Sequence, residues 1–441
     1  MVSSVEKYFS HKTIDQLAKK TGFVKRSRKL PASSFVNSLM FSACNQGNTS
    51  LPDITADLNQ QFSIDISKEG LHKKFSGEAV RFLQELVKVQ LSKQFPVAST
   101  ELKKHFAHIN IKDSSKFSLP SIYNVDYPGF GNYSKKNGLM NLQYEYDLVS
   151  GKWLCIELTT GHRNDQLDSK QTIGSITKGE LYIRDLGYVT PTYLKAIIEK
   201  GAYFLNRMPP QVTIHTAEKK NLGWRAIHRR FSKMGINTLD LDVLIYQREM
   251  LPCRLVIEQT TNEEYRKRLR HAQQSAKKHG VGLSQDHKIR CRYNAFITNV
   301  NREILPIDKI RKTYYLRWQI ELVFKTWKSF FEINKVKRVK KERMECQLLA
   351  KLLWVLLNWQ LFQSCNRYVQ VDSPEKGVSP LKFFKRCISF SGSLRSVVLN
   401  RLSLVKWLTN VFLPLIENTL CEAPVGKVTH YQILDSFLSL S

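Results

Sequence analysis

Three acidic residues, Asp113, Asp185 and Glu321, have neighbours that suit them to phosphoryl chemistry. Glu321 lies in KTYYLRWQIELVFKTWKSFF, where the spacing reads Tyr314-x2-Arg317-x3-Glu321-x6-Lys328. The segment has no Gly or Pro, so a continuous helix from about Ile307 to Phe331 is expected. At about 100° per residue, Tyr314, Arg317, Glu321, Lys325 and Lys328 fall within an arc of roughly 80°. One face then carries a single acid among aromatic and basic groups, while Leu316, Ile320, Val323 and Phe324 pack inward.

Asp113 and Asp185 each close a strand-like run, HFAHINIKD and GELYIRD, and small or turn-forming residues follow both. An Asp at a strand tip faces the crevice beyond the sheet edge, where ligands gather in α/β folds. Each acid has a plainer reading when taken alone. Glu321 can pair with Arg317 and Lys325, each four residues away, and an Asp after a strand commonly caps a turn. Taken together, the three carboxylates offer hard oxygen ligands to two divalent ions, magnesium or manganese. Two such ions about 3.5–4 Å apart can activate an attacking oxygen and stabilise a leaving one. Without metal, the acids would repel and one would stay protonated. Arg and Lys around Glu321 would then clamp phosphates that the metals do not reach.

The rest of the chain agrees with an anionic substrate. It has 441 residues, a formal net charge of +30 and a pI near 9.8. Such a charge favours binding to duplex DNA of any sequence through its phosphates, although dispersed surface charge is the bland alternative. Eight scattered cysteines form no C-x-x-C pair, which argues against a thiolate zinc site, and a chain this long needs no disulfides. The N-terminus lacks the apolar core of a secretory signal. Leu348 to Phe362 is too short to span a bilayer and contains Lys351. No membrane partner and a cytoplasmic location are therefore expected.

Element patterns place the acids within a larger plan. Residues 1–95 are read as a helical DNA-binding domain, with Lys19, Lys20, Lys25, Arg26, Arg28 and Lys29 nearby and Ser67 opening one helix. Residues 105–208 are read as a hairpin about Ser150-Gly151, then strand, helix, strand, with Thr190 and Gly201 bounding that helix. This pattern predicts an α/β fold with a mixed sheet. Residues 209–290 are read as a β-rich insertion, in which the basic run YRKRLRHAQQSAKKHG follows the β-like segments. Residues 291–340 resume the core, and 341–441 are a helical region for dimerisation or core packing. His162 and Asp165 could stand near a metal site but are read first as solvated loop residues, and KVKRVKKER as a basic stripe for DNA or solvent.

The Tyr-Arg-Glu-Lys spacing resembles, without a gap, the signature of insertion-sequence-four family transposases, the group that includes Tn-five-type enzymes. IKDSSKFSLP resembles the family's first-Asp motif, RDLGY its second, and ITNV…YYLRWQIELVFKTWK its third. The likeness spans about residues 105–335. It implies a ribonuclease-H-like core, interrupted by an insertion, with an Asp-Asp-Glu triad of Asp113, Asp185 and Glu321. It also implies cleavage at transposon ends through a hairpin, joining to target DNA, and a homodimeric synapse. Tyr314, Arg317 and Lys328 would contact phosphates near a flipped base, and Lys325 extends their basic face. Tyr293 and Trp224 are candidates for an aromatic beneath that base, but core packing is the preferred reading for both, as it is for Trp318 beside Arg317, with stacking on DNA the alternative. A catalytically inactive, transposase-derived DNA-binding protein is the competing reading.

Overall fold

Side-chain caps and left-handed turns delimit the elements of the computed structural model, which describes residues 10–26, 29–42, 50–93, 105–129, 137–372 and 377–421. The N-terminal region forms α1 (His11–Lys20), α2 (Ala32–Ser42), α3 (Leu51–Phe62), α4 (Lys68–His72) and α5 (Gly77–Ser92). Ser50, Ser67 and Ser76 each accept a hydrogen bond from a first-turn amide that has no intrahelical partner. Arg28 of the expected basic cluster lies outside the described residues.

The first half of the sheet is β1 (Ile109–Leu119), β2 (Gly138–Asp147) and β3 (Lys152–Thr160). After α6 (Asp165–Gln171) come β4 (Leu181–Arg184), α7 (Pro191–Glu199) and β5 (Tyr203–Arg207). Gly151, at φ +67°, supplies the left-handed residue of the β2–β3 turn. Thr190 caps α7 by accepting from the Tyr193 amide, and Gly201 ends it, also at φ +67°. β1, β4 and β5 run parallel, whereas β2 and β3 are antiparallel additions.

The insertion holds β6 (Ile214–His215), α8 (Trp224–Met234), β7 (Thr238–Ile245), β8 (Leu251–Gln259), α9 (Asn262–Lys278) and α10 (Gln285–Arg290). β9 (Tyr293–Thr298) follows. One expectation changes here. The described insertion carries more helix than strand, because the basic run is a capped helix with strong helix formers and no alternating apolar face. Its strands continue the core sheet. β9 pairs with β5 and β8 with β9, giving one nine-stranded sheet in the order β3-β2-β1-β4-β5-β9-β8-β7-β6. This mixed sheet with helices about it is the α/β, ribonuclease-H-like architecture that the resemblance implies.

The expected single helix around Glu321 is two: α11 (Ile307–Tyr315) and α12 (Arg317–Phe330). Thr313 Oγ donates back to Lys309 O at 2.8 Å, and the Leu316 amide bonds to Thr313 O at 3.1 Å, which tightens the turn between them.

The C-terminal elements are α13 (Lys341–Asp372), β10 (Gly377–Val378), α14 (Pro380–Arg386), α15 (Ser391–Val398), α16 (Leu404–Trp407), α17 (Leu413–Thr419) and β11 (Leu420–Cys421). Leu352, Leu353, Trp354, Val355 and Leu356 on α13 are completely buried. Their cluster joins the N-terminal helices, one face of β1–β2 and α12 into a continuous core. Phe41 meets Trp354 edge-on at 5.3 Å, and Lys340 Nζ donates to Phe75 O at 3.0 Å. Within the chain, these C-terminal helices pack into that core. No helix among the described residues is long and apolar enough to cross a membrane.

Candidate active site

β1 carries Asp113 within the strand, a correction to its expected place at the tip. The strand continues because its polar second half pairs with β2 as far as Leu119. On the other side, parallel pairing with β4 stops at Lys112↔Arg184. Asp113 therefore stands where the sheet opens, and Asp185 stands directly after β4, one strand away. A tight 3-10 turn, Leu186–Tyr188, carries the chain off after Asp185.

Aromatic packing delivers the third acid. Tyr144, opposite Asp113 in the β1–β2 register, stacks on Phe324 at 4.8 Å with the rings 4° from parallel. Trp153 meets Trp327 at 4.9 Å. These contacts fasten α12 across the sheet, and Glu321 lies one turn before Phe324.

The Asp113, Asp185 and Glu321 carboxylates converge on one cation. Arg317 Nη1 lies 3.4 Å from Asp113 Oδ2, and Nη2 lies 2.6 Å from Glu321 Oε1 and 3.9 Å from Asp185 Oδ1. The plainer reading of Glu321 as Arg317's partner thus holds, but as part of a four-residue cluster. Burial pushes the Asp113 carboxyl up to about 7; Asp185 and Glu321 add to this, while the Ser114 amide and Arg317 oppose it. Burial also pulls on Arg317, but Tyr314, Asp185, Glu321 and Asp113 outweigh it and hold the guanidinium above its ordinary range.

The donor set suits a hard divalent cation, since all three groups are carboxylates and Asp113 is driven towards protonation chiefly by burial, with Asp185 and Glu321 adding to it. Among the described residues, no three acidic, His or Cys side chains stand close enough to share an ion as they are placed. The guanidinium sits between them, so it must yield for all three to bind metal.

The other expected residues divide. Tyr314 is buried, with its ring 5.4 Å from Phe296 and 5.7 Å from the Arg317 guanidinium carbon. Lys325 is exposed. Lys328 rests its Nζ over the Phe324 ring at 5.0 Å, and burial lowers its pKa. Tyr293 and Trp224 stack on each other at 6.1 Å in the insertion core, so packing is the reading realised for both. Trp318 is 52% exposed, which corrects its reading as a packing residue. The side chains of Ile320 and Val323 lie outside those described.

Two features escaped the sequence reading. Asp165, taken for a solvated loop residue, opens α6 and accepts a hydrogen bond from Ser114 Oγ at 2.7 Å. A Cβ on Gly187 would meet its Oδ2 at 2.7 Å, so Asp165 touches the neighbours of both site aspartates. Beneath them lies a buried ionic network. Lys112 pairs with Asp168, Arg163 Nη2 lies 2.8 Å from Asp168 Oδ1, and Arg184 Nη2 lies 2.7 Å from Glu145 Oε1. The available signal was a basic residue directly before each Asp, Lys112-Asp113 and Arg184-Asp185. Strand alternation sends such neighbours to opposite faces.

Residues 104–357 match the family described as Transposase DDE domain. The transposase for insertion sequence element IS231F of Bacillus thuringiensis subsp. israelensis is 28% identical, over 98% of this chain and 94% of that protein. The transposase for IS1151 of Clostridium perfringens is 29% identical, over 88% and 85% respectively. The transposase for IS231B of Bacillus thuringiensis subsp. berliner is 30% identical, over 78% and 76%.

Proposed function

The chain belongs to the DDE transposase family of bacterial insertion sequences, in the insertion-sequence-four group, and from that premise we propose that it is an active cut-and-paste transposase. The observation that supports activity is the convergence of Asp113, Asp185 and Glu321, from three separate elements, on Arg317. In this reading Asp113, Asp185 and Glu321 hold two magnesium or manganese ions, which when bound would ease deprotonation of the attacking oxygen and stabilise the leaving one.

The chain's own residues bind and orient DNA. Arg317, once drawn away from the acids, offers its planar fork to a phosphate. Lys325 and Lys328 extend the basic face along α12, and Tyr314 supports Arg317 from beneath. Residues 1–95 bind the terminal inverted repeats, and two copies pair the ends in a homodimer in the bacterial cytoplasm. Water opens the strand at the transposon end. The freed 3′-hydroxyl then attacks the opposite strand to give a hairpin, which is opened before the end joins target DNA.

Incubating the full chain with a labelled duplex carrying its element's ends, in magnesium, manganese or EDTA, tests this. Metal-dependent nicking followed by a hairpin product, both lost in Glu321→Ala, is expected. Specific binding without cleavage in any metal would leave a catalytically inactive DNA-binding protein instead.

A further inference from the structure

We propose that Arg207, Arg268 and Arg290 form a phosphate-binding site one strand over from Asp185, gripping the backbone of the DNA whose scissile bond lies at the acidic cluster. The proposal rests on the transposase reading for the identity of the ligand. It rests on the fold for its place.

β4 and β5 are parallel neighbours in the register Ile183↔Leu205. Two residues further along each strand stand Asp185 and Arg207, side by side at the same end of the sheet. Arg207 is exposed and faces Phe296 of β9, whose ring packs on Tyr314. From the insertion, Arg268 on α9 is aimed at this edge. Its Nη1 donates to Tyr293 O at 3.1 Å and its Nη2 to Asn294 Oδ1 at 2.7 Å, both at the start of β9. Arg290 ends α10 and lines an open cavity of about 460 Å³, together with Gln211, Asn221 and Trp224.

Arg207 acts on each of the other two guanidiniums. Arg207 destabilises the charge on Arg268 and on Arg290, adding to the larger effect of burial on each. Among the described residues, none of the three has a carboxylate at ion-pair distance; Glu264 influences Arg268 but lies closer to Arg311. Like charges without counter-ions, two of them half-buried, disfavour the free protein. A phosphate accepting from several guanidinium forks relieves that repulsion with charge-assisted hydrogen bonds. The position then makes functional sense. Asp185 repels a DNA backbone, and Arg207 on the adjacent strand, with Arg268 and Arg290 from the insertion helices, holds it in place.

The test measures DNA affinity in EDTA, where cleavage is absent, as a function of salt, using one duplex with the element's end and one unrelated duplex. Arg207→Gln and Arg290→Gln should each reduce the magnitude of the log K against log salt slope by about one on both duplexes, since a phosphate contact carries no sequence information. Arg290→Lys should keep most of the slope. The thermal midpoint of the DNA-free variants should stay level or rise, because a repulsion has been removed, whereas an arginine serving only the fold would lower it. Unchanged slopes on both duplexes in Arg207→Gln and Arg290→Gln would overturn the proposal. Failure of the transposase reading shows separately, as absent cleavage by the parent chain in metal.

Discussion

Arg317 and Glu321, one turn apart on α12, are joined at 2.6 Å, and the same guanidinium reaches towards both site aspartates. Three acids that would otherwise repel are thereby gathered before any metal arrives. Arg317 is both the counter-ion of the cluster and the group that must leave it.

Arg317→Ala should therefore make the protein more dependent on metal for its stability. In EDTA its thermal midpoint should fall below that of the parent chain, and saturating magnesium should recover most of the loss. A cation at about 100 times its dissociation constant contributes about 2.7 kcal/mol. Equal magnesium shifts in parent and variant would show that guanidinium and metal do not compete for the acids.

The Asp113 carboxyl, raised to about 7 chiefly by burial, gives a pH signature. Unfolded, it titrates near 4. Between these values only the folded protein holds the proton, so the stability from this group is full below about pH 4 and is lost as pH rises to about 7. Metal affinity should rise through the same window, because binding needs the ionised carboxylate. Thermal midpoints in EDTA, parent minus Asp113→Asn, should decline from pH 4 to 7; a flat difference would contradict the assignment.

The ionic network beneath the site should matter more to stability than the exposed pairs. Lys112 and Asp168 are at most 1% exposed, so Asp168→Ala strands a buried lysine and should cost about 3–5 kcal/mol. Glu157, 49% exposed in its pair with Arg163, should cost under about 1 kcal/mol when changed to Ala. Denaturant titration compares the two, and similar losses would mean that the network is not the brace described here.

Asp165 should act on rate through Ser114. Asp165→Asn should slow metal-dependent nicking by about 10–100-fold, the usual effect of disturbing groups that orient metal ligands. DNA affinity measured in EDTA should remain at the parent value. A variant with full nicking activity would reduce Asp165 to a helix-opening residue.

Local chemistry was legible in the chain itself. Ser67 and Thr190 cap helices because a short side-chain oxygen satisfies the first-turn amides, and Gly201 ends α7 because it tolerates a left-handed backbone. The spacing of Arg317, Glu321 and Lys328 placed them on one helix, since helical periodicity depends only on the backbone, while Tyr314 falls on the helix before it. Tertiary structure decided the rest. That Asp113 sits within β1 depends on how far β2 pairs with it, and that Tyr314 is buried depends on Phe296 arriving from β9. The insertion joins the core sheet because β8 pairs with β9, and β9 in turn pairs with β5, about 90 residues earlier, which no local pattern records. Arg317 among three acids is likewise a meeting of distant residues. Charge and spacing named the groups, whereas strand register and aromatic packing set which of them face one another.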